Sequence, residues 1–131
     1  MSVPVSIRIL CVEDDFDSGE LIRFILGQEN KNYDVLTASS ADEAIKLISN
    51  QSFDLYILDY CLPAMTGIQL CRWIRETDSK TPILFYSAMG RKVDREIAKK
   101  AGANIYLIKP NDFEKLSESV RQLLNNDEQR G

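Results

Sequence analysis

The 131-residue chain contains no histidine. It cannot donate a phosphoryl group from an imidazole of its own, and Ser-His-Asp or Cys-His catalysis is excluded. Cysteine is scarce and unpatterned: Cys11, Cys61 and Cys71 are an odd number without CxxC spacing, which argues against a disulfide framework and against a zinc site. They read as reduced thiols serving as small hydrophobes. No apolar run approaches the ~20 residues that cross a bilayer. The opening Met1-Ser2-Val3-Pro4-Val5 has no basic flank, apolar stretch or small-residue cleavage site, so it does not resemble a secretory signal. A cytoplasmic protein without membrane contact is expected. A cationic surplus is missing too, and a formal charge of -4 argues against a non-specific nucleic-acid binder, whose affinity would come from neutralising phosphates.

What is present has the balance of one globular domain, with 44% apolar and 27% charged residues. A chain of this length buries roughly two-thirds of its unfolded surface and needs no staple. Strand and helix patterns alternate along the whole chain without a composition break, which predicts a doubly wound α/β fold. Strands are expected at Ile7 to Val12, Tyr33 to Thr37, Leu55 to Leu58, Ile83 to Tyr86, and Ile105 to Leu107 or Ile108. The second is the least apolar and belongs toward an edge.

Between them the sequence predicts five helices. The first is capped by Asp17 or Ser18 and ends near Gly27. The second is capped by Ser40, with Glu43 three residues on, and carries the stripe Ala41, Ala44, Ile45 and Ile48. The third turns Ile68, Cys71 and Ile74 inward, and the fourth runs from about Val93 to Lys100 and is closed by Gly102. The last starts near Asp112 with Phe113, Leu116, Val120 and Leu123 at helical spacing. From Asn125 onward the chain is polar without periodicity, so residues 125–131 read as a frayed end or the start of a linker.

Polar residues stand where four of the apolar runs stop: Glu13-Asp14, Asp59, Ser87 and Lys109. In a parallel sheet all of them reach the carboxyl edge, where open α/β folds place their chemistry. Asp54 precedes its strand and belongs about 16 Å away at the opposite rim. Magnesium takes hard oxygen ligands and needs only one or two carboxylates beside waters and substrate oxygens. Glu13, Asp14 and Asp59 supply enough, and a cation would relieve their mutual repulsion. Ser87 can donate to a phosphoryl oxygen, and Lys109, followed by Pro110, can pair with it or with a carboxylate. Each of these residues alone is an ordinary solvated cap or turn. Together, in this order, they describe a site for a divalent cation and a phosphoryl group.

The strings Val12-Glu13-Asp14-Asp15, Leu58-Asp59-Tyr60-Cys61-Leu62-Pro63-Ala64-Met65-Thr66-Gly67, Tyr86-Ser87-Ala88 and Lys109-Pro110 resemble the receiver domain of two-component response regulators, over about Ile7 to Leu124. The resemblance implies a flavodoxin-like five-stranded parallel sheet in the order 2-1-3-4-5 with helices on both faces. That strand order is the one known for the family's own chemotaxis regulator, and it is carried over from there rather than from the spacing of the runs. The resemblance also implies one receiver domain over residues 1–124. By the same resemblance Asp59 is the phosphoacceptor, taking phosphate from the phosphohistidine of a sensor histidine kinase or histidine phosphotransfer protein. Asp14 would hold Mg2+ directly and Glu13 through water, with Asp59 and the backbone carbonyl of Cys61 completing the protein ligands. Ser87 and Lys109 would bind the phosphoryl group, and Ser87 and Tyr106 would form the switch. The domain would be a signalling phosphoacceptor rather than an enzyme, catalysing only its own phosphorylation and dephosphorylation.

Two positions depart from the family pattern. Asn111 replaces the usual aromatic after Lys-Pro, with Phe113 two residues later, and Cys61 occupies a position that influences the lifetime of the phosphorylated form. Arg91, Lys92, Arg95, Lys99 and Lys100 make the fourth helix basic despite Asp94 and Glu96, in an acidic chain, which suits an acidic downstream protein docking on the face formed by the fourth helix, the fifth strand and the last helix. The alternative is a receiver-like scaffold that binds its partner without phosphorylation. A phosphohydrolase of the haloacid dehalogenase type would need an acid at Cys61 and a cap domain.

Overall fold

The structure, a computed structural model, describes residues 6–130. The opening stretch read as no secretory signal, and Gly131 of the polar tail, lie outside them. The strands are β1 (Ile7–Val12), β2 (Tyr33–Ala38), β3 (Leu55–Leu58), β4 (Ile83–Ser87) and β5 (Ile105–Ile108). They form one sheet in the order β2-β1-β3-β4-β5, and every pairing is parallel. β2, the least apolar strand, is at an edge as expected.

The helices are α1 (Phe16–Glu29), α2 (Ala41–Asn50), α3 (Gly67–Thr77), α4 (Lys92–Ala101) and α5 (Leu116–Arg130). They cover both faces. Leu10, Val12, Leu58 and Phe85 point to one side and pack with Ala44 of α2, Ile68, Cys71 and Ile74 of α3, and Ala98 of α4. Ile9, Cys11, Ile57, Leu84 and Leu107 point to the other and pack with Ile22 and Leu26 of α1 and Leu116 and Val120 of α5. The central strands are buried on both faces, so they read as continuous apolar runs rather than alternating ones. Their polar terminators therefore mark the sheet edge sharply.

Local chemistry sets the ends of the helices. Ser40 caps α2 by accepting from Glu43 N at 3.1 Å. Thr66 and Gln69 cap α3 reciprocally, Thr66 Oγ1 accepting from Gln69 N and Gln69 Oε1 from Thr66 N. Gly102 closes α4 in the left-handed region at φ +117.

Two expectations are corrected. The cap of α1 is Asp15, not Asp17 or Ser18: its carboxylate accepts from Ser18 N at 3.3 Å and Ser18 Oγ at 2.6 Å. The same helix ends at Glu29, with Gly27 near its end as expected. The last helix begins with a 3-10 turn over Phe113–Lys115, and α5 continues to Arg130, so the backbone stays helical through the polar stretch expected to fray. Among the described residues no helix is long and apolar enough to cross a membrane.

Candidate functional site

Parallel strands that end together deliver their next residues to one place. Glu13 N donates to Ala38 O at 2.9 Å, Asp59 N to Val12 O at 3.1 Å and Lys109 N to Ser87 O at 2.9 Å, so each of these residues continues the ladder one step beyond its strand. Glu13, Asp59 and Ser87 are buried, whereas Asp14 is exposed. One carboxylate oxygen from each of Glu13, Asp14 and Asp59 lies within 4.8 Å of the others. Asp15, spent on capping α1, contributes no such atom. Asp54 is at the opposite rim as expected, accepting from Arg8 N at 2.8 Å.

Lys109 ties the cluster together. Its ammonium donates to Glu13 Oε2 at 2.6 Å and Asp59 Oδ2 at 3.1 Å. Asp59 Oδ1 also accepts from Cys61 N at 3.1 Å, which fixes the carboxylate against the turn after β3. Glu13 Oε1 accepts from Asp15 N at 3.2 Å. Ser87 Oγ accepts from Met89 N at 3.3 Å, and the Tyr106 hydroxyl donates to Met89 O. The Tyr106 ring stacks on Phe85, with centroids 5.6 Å apart and planes 3° from parallel. Tyr106 is thus linked, through the Met89 backbone, to the hydroxyl at the end of β4.

The acids divide the charge unequally. Burial, and then the hydrogen bond with Asp59, push the Glu13 carboxyl up to about 7, against the pull of Lys109. Burial also works against the Asp59 anion, but hydrogen bonds with Glu13 and Ser87 and the Lys109 charge outweigh it and hold that carboxyl below its ordinary value. Lys109 gains more from its two carboxylates than burial takes away, so its pKa is raised. Asp59 is therefore the acid of the pair favoured as the anion, and Glu13 is the one that holds its proton to higher pH.

These donors suit magnesium. Oxygens on opposite sides of an octahedral Mg2+ stand about 4.2 Å apart and neighbouring ones about 3 Å, close to the spread of the three acids. If all three are ionised against one ammonium, two negative charges are left over, which a divalent cation cancels.

Sequence reasoning missed one neighbour. Tyr86 lies beneath Lys109, whose Nζ is 5.4 Å from the ring centroid. The register Tyr86↔Leu107 puts Lys109 two residues further along the same face, a signal readable only once the strands are paired. Asp94 is buried and accepts from Arg91 Nε at 2.9 Å and Nη2 at 3.0 Å, so the basic character of α4 at Arg91 is partly neutralised. In the loop that departs from the family pattern, Asn111 is exposed. Phe113 takes the inner position and meets Tyr86 at 6.4 Å between centroids.

Residues 9–121 match the model of the response regulator receiver domain. The alkaline phosphatase synthesis transcriptional regulatory protein PhoP of Bacillus subtilis is 32% identical over 121 residues, 92% of this chain and 50% of that protein. The uncharacterized transcriptional regulatory protein YrkP of the same species is 40% identical over 113 residues, 86% of this chain and 47% of that protein. Among solved structures, a CheY-like receiver domain protein from Methanospirillum hungatei superposes with a TM-score of 0.89 at 28% identity, over 96% of this chain and 99% of the other. The chain belongs to the receiver domain family of two-component response regulators. It spans about half the length of the curated relatives it matches. Family members are signalling phosphoacceptors rather than conventional enzymes.

Proposed function

We propose that Asp59 is the phosphoacceptor of a two-component or phosphorelay pathway, taking its phosphoryl group from the phosphohistidine of a sensor histidine kinase or histidine phosphotransfer protein. The observation that carries this reading is the placement of Lys109 Nζ between Asp59 and Glu13. An Asp59 carboxylate oxygen attacks phosphorus in line, the new O–P bond forming as the P–N bond to the donor imidazole breaks. The imidazole leaves with a proton from solvent. Lys109 neutralises charge on the transferring oxygens, Ser87 donates a hydrogen bond to one of them, and the turn amide of Cys61 holds the Asp59 carboxylate in place.

Glu13, Asp14 and Asp59, with the backbone carbonyl of Cys61, are the ligands we assign to Mg2+. The bound ion supplies charge neutralisation and a template for the phosphoryl oxygens. Water admitted in line with the acyl phosphate later hydrolyses it, so the signal limits itself.

A phosphoryl group on Asp59 draws the Ser87 hydroxyl toward itself as donor, which shifts the oxygen that accepts from Met89 N. That hydroxyl and Tyr106 share the Met89 backbone, so the loop from Ala88 to Arg91 and the start of α4 are the bistable element. A downstream protein reads the change on the α4-β5-α5 face, where Arg95, Lys99 and Lys100 are exposed. We place the domain at residues 1–124, in the cytoplasm, with no nucleic acid or membrane bound by this domain itself.

Incubation with acetyl phosphate or phosphoramidate and Mg2+, followed by intact mass, tests the chemistry. Wild type is expected to gain a phosphate adduct that Asp59→Ala lacks; an adduct on both overturns the assignment. Equal partner binding by wild type and Asp59→Asn would instead favour the phosphorylation-independent scaffold. Loss of partner affinity in Arg95→Glu with Lys99→Glu is the outcome expected for the output face.

A further inference from the structure

Lys109 meets Glu13, Asp59 and Tyr86, and the two carboxylates are also those assigned to the metal. Its ammonium lies 2.6 Å from Glu13 Oε2 and 3.1 Å from Asp59 Oδ2, but when those oxygens turn to a cation and an acyl phosphate, both contacts must loosen. The third neighbour does not take part in that exchange. Tyr86 is a strand residue, 6% exposed, wedged among Leu84, Leu107 and the α5 face of the sheet. Phe113 packs against its ring. The Lys109 ammonium stands 5.4 Å from the centroid of that ring, inside the ~6 Å range of a cation–π contact.

We propose that Tyr86 is a positioning residue for phosphoryl transfer: its ring face holds the Lys109 ammonium over the acidic pocket while Glu13 and Asp59 change partners. This rests on the reading of Asp59 as phosphoacceptor. The ring acts as a fixed platform because it is buried near the end of β4 and has Phe113 packed against it. The lysine stem otherwise has several freely turning bonds, and an ammonium that wanders from the pocket stabilises the transferring oxygens less. Phe113, two residues past Asn111, thereby supports the site from within the loop where the sequence departs from the family pattern.

Two measurements separate the placement from the chemistry. In metal-free protein labelled at lysine, the Lys109 ε-methylene resonance, assigned by its loss in Lys109→Met, is expected to be shifted upfield by the ring. Tyr86→Phe keeps that shift and Tyr86→Leu abolishes it. With phosphoramidate and Mg2+, the initial rate of Asp59 phosphorylation is expected to fall about two- to fivefold in Tyr86→Leu and to be restored in Tyr86→Phe. Tyr86→Met, which fills the volume without a ring, replaces Tyr86→Leu if that variant fails to fold. An unshifted methylene in wild type, a wild-type rate in the ringless variant, or a Tyr86→Phe rate as low as that variant's each overturns the proposal. If wild type itself takes up no phosphate, the phosphoacceptor reading fails, while the resonance still decides where Lys109 is held.

Discussion

Gly67 presses its bare α-carbon against the backbone carbonyl of Asp59: a Cβ built there would collide with that oxygen and stand 3.1 Å from the Tyr60 Cα. Gly67 N donates to Tyr60 O at 2.9 Å, and Thr66 caps the helix that starts at Gly67. The first turn of α3 and the Asp59 backbone therefore form one tight unit. Gly67→Ala is expected to destabilise the protein by about 2–3 kcal/mol, because backbone on both sides must yield. Urea unfolding measures the loss, and an alanine variant as stable as wild type would show that the loop gives way freely.

The raised Glu13 carboxyl makes metal-free stability depend on pH with a definite sign. Between the ordinary value of 4.5 and about 7, the folded protein holds a proton that the unfolded chain has released. The stability from this group is complete below that window and is lost as pH rises through it. Asp59, held below its ordinary value, acts oppositely, and its contribution disappears only at the acid end. In chelator the urea midpoint is therefore expected to fall from about pH 5 to about pH 8, and Glu13→Gln is expected to flatten that trend. Mg2+ should restore the midpoint at the alkaline end, since ligands must be deprotonated to bind it. A midpoint that climbs across the window in chelator would contradict the pocket's electrostatics.

Much of this arrangement is legible in the sequence itself. Strands β3 and β4 are buried on both faces, so Asp59 and Ser87 stood out as the first polar residues after unbroken apolar runs. The separation of Asp54 from Asp59 followed from strand rise alone. Other features depend on what the chain meets elsewhere. Three consecutive acids, Glu13, Asp14 and Asp15, do not say which one caps the helix; the choice follows from the first two turning toward the pocket. The helical backbone beyond Asn125 carries no apolar period that would announce it. Tyr86 needed the register between β4 and β5 before its distance to Lys109 could be inferred.

The three thiols should differ in reactivity. Cys11 and Cys71 are enclosed, and burial raises them to about 12 and about 11. Cys61 is exposed, and its smaller rise comes from burial and then from the charges of Asp59, Asp14 and Asp94. Iodoacetamide is expected to modify Cys61 alone in the native protein, as peptide mapping would show. Because a cation between Asp14 and Asp59 offsets two of the opposing charges, saturating Mg2+ should speed that reaction about threefold by raising the thiolate fraction. A rate indifferent to Mg2+ would mean that no cation settles beside Cys61.

At the other rim of the sheet, Arg75 uses all five of its N–H groups. Nε and Nη2 donate to Gly102 O at 3.1 and 2.9 Å, Nη1 to Asp78 O at 3.0 Å and Thr81 O at 2.8 Å, and Nη2 also to Asn104 Oδ1 at 3.1 Å. One guanidinium thus joins the end of α3, the loop into β4 and the end of α4. Asn104 Oδ1 in turn accepts from Ile83 N at 2.8 Å, extending the clamp to the first residue of β4. A lysine has the charge but not the planar fork, so it can satisfy only part of this set. Both Arg75→Met and Arg75→Lys are expected to lose about 2–4 kcal/mol, the methionine variant more, since it leaves several half-buried carbonyls without their charged donor. The clamp is a sheet length from Asp59, so below the unfolding transition the rate of phosphorylation by phosphoramidate should stay at the wild-type value. Faster amide exchange at Gly102 and Ala103, whose N–H groups close α4, would locate the damage; a phosphorylation rate that fell in step with stability would instead mean that the α4 terminus reaches the site.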